Sequence, residues 1–395
     1  MSNKPALLIT INSLRSGGAE RVVSQLLWYL KEEFEIHLAL YSHIIEYDIP
    51  PGVIIYDMDQ SEEEGAAKML FKLPGLAKKL SAYAKKNNVK YSVAFLNRPC
   101  YINALMRRFY GFKGRIVMCE RTYQTSMLST KSSLTRLMTR ILIPPSYNTA
   151  DLVLANAEAM KEDLIRTMHV RKPIEVIYNP IDLPQIKIKM EEPVSIQKEK
   201  DIFYFIGVGN FRKEKNFPLL TEAFNLLKGL ACKLILVGDG PDKEQMVEML
   251  RSAGTESQVI FVGKDRNPFR WMKMADAFVL SSDVEGFPNV LLEALACGKP
   301  SVATDCLCGP REMLAPGTGE PDSLKEVFKE YPYGLLTPVG NAKVLSEAMK
   351  QLMTDESMRS RLAEKGKMRA MEFDLPLMAK QYADAFSGRG SYQHK

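Results

Sequence analysis

Along the chain, short apolar runs closed by polar or glycine-bearing turns alternate with longer stretches whose apolar residues recur at helical spacing. Residues 6–11 read as a strand and 19–30 as a helix. Residues 36–41, 53–56, 91–96, 115–119, 151–155 and 174–177 read as further strands, with helical segments such as 157–168 between them. A second series starts at 203–208 and continues through strands at 234–237, 259–263, 277–280 and 301–304. Helices are expected from Phe217, over 342–353 and over 376–386. Such alternation predicts an α/β protein with parallel sheets covered by helices. At 395 residues the chain is too long for one core, so two domains are expected.

The most informative stretch is 277–300. An apolar strand ends at Ser281 and Ser282, Asp283 to Pro288 turn the chain, and from Asn289 the residues Val290, Leu291, Ala294 and Leu295 recur at helical spacing. Pro288 suits a helix start and Gly298 suits the position past a helix end. The start of that helix, with the N–H groups of Gly286, Phe287 and Asn289 around Pro288, is a phosphate site by dipole and by donors. Glu285 and Glu293 bracket it, eight positions apart. Two carboxylates repel a free phosphate but suit a sugar phosphate, whose hydroxyls donate to them. The run from Glu285 to Glu293 resembles the paired-glutamate signature of the retaining family 4 glycosyltransferases. That resemblance implies the GT-B fold, two Rossmann-like domains facing each other across a cleft.

Other landmarks of that family recur in order. Gly17 and Gly18 lie between the first strand and first helix, where the resemblance implies packing under a donor diphosphate. Neither a dinucleotide fingerprint nor an NTPase phosphate loop is present. Asn179-Pro-Ile-Asp182 resembles the close of the first domain, giving 1–182 as the acceptor-side domain. The Lys-, Glu- and Pro-rich stretch 183–200 reads as a linker, 201–375 as the donor-binding domain, and 376–395 as a helix returning to domain one, then a tail. After the strand at 203–208 the family carries an arginine and a lysine for the diphosphate. Lys215 matches the lysine, but Asn210 stands at the arginine position, and Arg212 or Lys213 is expected to supply the charge. Cys308-Gly-Pro-Arg-Glu312 resembles relatives that handle N-acetylhexosamine or galactose-type donors. Arg121 ends a strand where relatives often carry a histidine. A guanidinium does not release a proton, so its expected role is electrostatic. Glu293 is assigned to the ribose hydroxyls and Glu285 to the sugar hydroxyls and the cationic anomeric carbon.

The net charge of +6 is unevenly spread. Residues 1–180 hold 24 basic against 17 acidic residues, and 65–147 hold 16 basic residues with one acid, Glu120. Lysines at 72, 78, 79, 85 and 86 lie beside an apolar stripe, and 131–143 mixes Arg136 and Arg140 with Leu134, Leu137, Met138, Ile141 and Leu142. Basic amphipathic segments of this kind suit an anionic leaflet. No nucleic-acid motif or aromatic platform accompanies the charge, so nucleic acid is not an expected partner. The six cysteines show no zinc spacing and read as reduced thiols; Asp57 and Asp59 read as a polar strand end rather than a metal site. No signal peptide or spanning run is evident, which places the protein in the cytoplasm, peripheral on the inner face of the plasma membrane.

The expectation is therefore a metal- and cofactor-independent retaining hexosyltransferase. It moves a hexose or N-acetylhexosamine from a nucleotide diphosphate sugar, UDP-linked, to a lipid-linked saccharide acceptor in envelope glycan synthesis. A UDP-sugar epimerase or a phosphorylase of the same fold, and a non-catalytic sugar-nucleotide or membrane-docking partner, are the alternatives. Asn210 and Arg121 favour the last of these, and transfer from labelled UDP-sugars separates it from an enzyme.

Overall fold

A computed structural model of the chain describes residues 4–15, 17–61, 66–129, 133–318 and 324–389. Residues 65 and 131, and the side chains of Leu134 and Met138, named above, lie outside them. The chain forms two units, Met1–Pro180 together with Leu375–Lys395, and Ile181–Asp374.

The first unit holds β1 (Ala6–Ile11), β2 (Glu35–Leu40), β3 (Ile54–Asp57), β4 (Tyr91–Phe95), β5 (Arg115–Cys119), β6 (Leu152–Ala155) and β7 (Ile174–Val176). Their order is β3-β2-β1-β4-β5-β6-β7, and every neighbouring pair is parallel. All six residues of β1 are buried, because helices cover both faces of a parallel sheet. The edge strand β3 is largely exposed. The helix Leu375–Ser387 packs into this unit. Its Tyr382 and Phe386 join Leu26, Leu30, Phe95 and Leu154 in one apolar cluster, and the Phe386 ring meets that of Phe95 edge-on at 6.5 Å. The Tyr382 hydroxyl donates to the Ile177 carbonyl at 3.0 Å, so the helix is also tied to the end of β7.

The second unit holds β8 (Phe203–Val208), β9 (Cys232–Val237), β10 (Val259–Gly263), β11 (Ala277–Leu280), β12 (Ser301–Thr304), β13 (Lys329–Tyr331) and β14 (Gly334–Thr337). Their order is β10-β9-β8-β11-β12-β14-β13, parallel except for the antiparallel edge pair β13 and β14. Phe205, Phe211, Phe217, Leu220, Leu234 and Leu345 fill its core. In each sheet the strand order reverses beside the first strand, between β1 and β4 and between β8 and β11. Loops leaving the carboxyl ends of those strands diverge to opposite faces and open a crevice, which is where such sheets hold ligands.

Two features depart from the sequence reading. Residues 183–200 do not form a free linker, because Leu183–Met190 is a helix of the second unit. Asp182 caps it, accepting from the Gln185 N–H at 2.9 Å, Ile186 is buried, and Asn267 donates to the Lys189 carbonyl at 2.8 Å. Its charges lie on the exposed side, which made the stretch look like a spacer. A helix Glu356–Met371, capped by Asp355, was not anticipated; its Arg369 donates to the carbonyls of Glu312 and Met313 at 2.7 and 3.2 Å.

Replacing Phe386 by Ala removes a ring with no exposed surface. The expected cost is about 3–5 kcal/mol to the first unit, read as a lower urea midpoint of the earliest unfolding transition. An unchanged midpoint would mean that the returning helix is dispensable to that core.

Candidate functional site

The carboxyl ends of β8 and β11 bring together residues that are about 70 positions apart. From β8 the chain passes Asn210 and Arg212, both exposed, into a single 3-10 turn Lys213–Lys215. Asn216 follows in the left-handed region, at φ 45°. An asparagine tolerates that conformation when its side chain bonds locally. Here its side-chain oxygen accepts from the Leu219 N–H at 3.2 Å, capping the helix Phe217–Asn225, and its amide donates to Asp283 at 2.8 Å. The Asp283 N–H in turn donates to the Glu214 carbonyl at 3.0 Å. The two loops are thereby joined through both side chain and backbone.

This junction delivers Lys215 to Glu285. The ammonium nitrogen lies 2.7 Å from each carboxylate oxygen. The Glu285 side chain is only 5% exposed against 30% for Lys215, so the pair has a dry acidic end and a wet basic end. Ser282 donates to Glu285 at 2.6 Å, and Thr304, at the end of β12, donates to the Ser282 carbonyl at 2.5 Å. Burial of a carboxylate is tolerated when it is paired and hydrogen-bonded. Burial pushes the neighbouring Cys306 thiol well up, reinforced by the Glu285 charge, so it stays protonated beside the pair.

Beyond Glu285, Gly286 to Pro288 lead into the helix Asn289–Ala296, whose N-cap Pro288 offers no side-chain acceptor. Phe287 and Pro288 are buried and hold the loop down. Gly309 lies beneath it at φ 91°, and a Cβ there would fall 2.5 Å from Pro288 Cδ and 2.7 Å from the Gly286 carbonyl oxygen. Only glycine permits that approach. Beside it Arg311 is buried with its Nε and Nη2 donating to the two Asp305 carboxylate oxygens and its Nη1 to the Thr318 carbonyl, which fixes the turn after β12. Glu293 is buried in the helix, close enough to Cys297 that its charge adds to the effect of burial in pushing that thiol up to about 12. Of the residues singled out from the sequence, Lys215 and Glu285 are brought together and Glu293 lies buried in the helix that follows. Sequence reasoning missed Asp283 and Ser282 as supports, and the only signal was their place in the loop.

In the first unit, Gly17 is the N-cap of the helix Gly18–Leu30, and a Cβ on it would lie 2.2 Å from a Glu20 carboxylate oxygen. Arg121, after β5, donates to Asn179 at 2.7 Å and to the Tyr382 hydroxyl at 3.0 Å, and its guanidinium stacks 4.9 Å from the Phe95 ring. Those contacts join the ends of β5 and β7 to the returning helix. Glu120 beside it, which sequence reasoning noted only as a lone acid, is buried. It accepts from the Tyr147 hydroxyl, the Gln124 amide and the N–H groups of Arg121 and Thr122 at 2.8–3.0 Å. Burial raises its pKa, and these four donors oppose the rise. Asp57 accepts from the Asp59 N–H at 2.7 Å, a local turn. Among the described residues no group of three or more His, Cys, Asp or Glu side chains is arranged to hold a metal, and all six cysteines are buried free thiols.

Comparison with known proteins bears on this arrangement. Residues 16–185 match the model of Glycosyltransferase Family 4, and residues 188–369 match that of Glycosyl transferases group 1. The chain is 35% identical over 367 residues, 93% of its length and 95% of the other's, to a Campylobacter jejuni enzyme. That enzyme is N-acetylgalactosamine-N,N'-diacetylbacillosaminyl-diphospho-undecaprenol 4-alpha-N-acetylgalactosaminyltransferase. The present chain is also 31% identical over 172 residues, 42% of its length and 46% of the other's, to lipopolysaccharide 1,6-galactosyltransferase of Salmonella typhimurium. The fold matches that of Anabaena HepE in complex with UDP-glucose, with TM-score 0.75 and 19% identity, over 97% of this chain and 99% of that one. With both halves matched and one relative similar from end to end, the protein belongs to the family 4 (group 1) glycosyltransferases and has their GT-B fold of two Rossmann-like domains.

Proposed function

We propose that this protein transfers a hexose or N-acetylhexosamine from a UDP-sugar to a lipid-linked saccharide, retaining the anomeric configuration and using no metal. The observation that carries the reading is the Lys215–Glu285 pair at the strand-order reversal of the second sheet, beside the helix start at Asn289. The C. jejuni relative's diphospho-undecaprenol acceptor and the UDP-glucose of HepE support the acceptor and donor classes.

In this scheme the bond from the anomeric carbon to the diphosphate breaks and its electrons leave with UDP. Catalysis is chiefly stabilisation of that charge by donors already in place. Lys215 shares its ammonium between Glu285 and a phosphate oxygen, Arg212 closes on the diphosphate in place of a cation at Asn210, and the N–H groups from Gly286 to Asn289 take further oxygens. Glu285 accepts from sugar hydroxyls and faces the positive charge at the anomeric carbon, and Glu293 accepts from the ribose. The acceptor hydroxyl attacks the face that UDP leaves, and its proton passes to the departing phosphate oxygen. Arg121 keeps its charge throughout and positions the acceptor-side edge. The protein acts from the cytoplasmic side, resting on the inner leaflet through the exposed Phe71, Leu137 and Ile141 with Lys78, Lys79, Lys85, Lys86, Arg136 and Arg140. No helix among the described residues is long and apolar enough to cross a membrane.

A UDP-sugar should raise the melting temperature in proportion to the logarithm of its concentration over its Kd. Glu293→Gln should abolish most of that shift, and stabilisation by GDP-mannose alone would overturn the donor class. Lys215→Met should lower kcat on the order of 10²–10³-fold. It should also destabilise the second unit by leaving the buried Glu285 charge unpaired. Adding Glu285→Gln should then restore the stability and not the turnover; full activity in Lys215→Met would sink the assignment. In sedimentation with anionic vesicles, changing Lys78, Lys79, Lys85, Lys86, Arg136 and Arg140 together to Gln should release the protein, and unaltered binding would show the docking face to be elsewhere.

A further inference from the structure

The exposed face of the helix Ser133–Tyr147 does not end with its basic residues. Leu137 and Ile141 are followed at the same helical spacing by Pro144 and Asn148, which border an open depression of ≈ 490 Å³. His169, Arg171 and Lys172, from the loop before β7, complete its lining, and no acidic residue is among the five. The loop is held in shape by Asn148. Its side-chain oxygen accepts from the Arg171 N–H at 2.7 Å and its amide donates to the His169 carbonyl at 3.3 Å, with His169 in the left-handed region at φ 53°. Three side chains able to carry positive charge are thus presented on a pinned backbone.

We propose that this depression binds the phosphate of an anionic phospholipid headgroup, as a second anchor of the docking face. The inference rests on the leaflet-docking reading above and gives it one defined site. Two arguments select a headgroup. The depression continues the apolar and basic face of the same helix, so a headgroup reaches it when that face lies on a leaflet. It also lies at the amino edge of the first sheet, among loops that precede β6 and β7, one helix length of roughly 22 Å from the carboxyl edge. A lipid bound there leaves the carboxyl edge open to the acceptor.

The test uses the full chain and phosphatidylcholine vesicles with and without phosphatidylglycerol. Arg171→Gln/Lys172→Gln is compared with Lys85→Gln/Lys86→Gln, which removes the same charge from the end of the helix Ala66–Lys86. The first pair should weaken binding to the anionic vesicles by more than the roughly thirty-fold that two diffusely attracted charges contribute. The second should weaken it clearly less, and UDP-sugar hydrolysis without acceptor should be unchanged in both. Equal losses in the two pairs would mean diffuse attraction and overturn the pocket while leaving the docking reading intact. If inorganic phosphate stabilises the wild type through Arg171 and Lys172 while Arg171→Gln/Lys172→Gln binds anionic vesicles as the wild type does, the site takes free phosphate and the headgroup assignment falls. A wild-type protein that stays in solution at every composition would remove the docking reading itself.

Discussion

A carboxylate taken out of water must be paired, hydrogen-bonded or protonated, and the second unit is built around one that is both paired and hydrogen-bonded. Glu285 accepts from Ser282, and among the described residues its ion-pair partner is Lys215, carried by the loop after β8. For Lys215 to arrive, the chain must reverse within one residue. This explains why Asn216 adopts a conformation costly to most residues and why Asp283 holds its amide. Ion pairs of this kind give little net stability compared with apolar packing, and their usefulness lies in position. In the proposed transfer, the wet end of the pair is the end that would meet the donor diphosphate. A lysine already desolvated on one side and aligned by a carboxylate has little reorganisation left when the leaving charge develops.

The two sheets share a topology and treat their carboxyl edges differently. In the second unit the polar groups at the order reversal are arranged toward a loop and a helix start. In the first, Glu120 and Arg121 are turned inward, the one satisfied by four donors and the other divided between Asn179 and Tyr382. A charged residue that joins strand ends to a helix fixes that edge of the sheet in place. Sequence position alone does not distinguish that from a residue aimed at the reaction, because both occur just past the end of a strand.

Most of the architecture was legible because it is local. Apolar runs of four to six residues with glycine or polar stops gave β1, β5, β8 and β11 nearly to the residue, and the glutamate pair with Pro288 between gave the central loop and helix. What was not legible is of two kinds. Long-range partnerships such as Asn216 with Asp283, or Glu120 with Tyr147, leave no trace in spacing, since each residue alone is an ordinary loop or helix polar group. Segments with weak amphipathicity were underestimated. The stretch 183–200 read as a spacer despite Asp182 and Pro184 standing where a capped helix begins, and Glu356–Met371 carries charge around most of its surface.

The return of the helix Leu375–Ser387 to the first unit has a consequence for how the chain is made. In vectorial synthesis the whole of the second unit emerges before Tyr382 and Phe386 exist, so the first unit waits, with the groove those side chains fill still apolar and open. The second unit is an insertion whose described core cluster lies wholly within Ile181–Asp374, so it is free to fold first. Until the last helix leaves the ribosome, the half-built sheet of the first unit is the part of this protein that chaperones must protect.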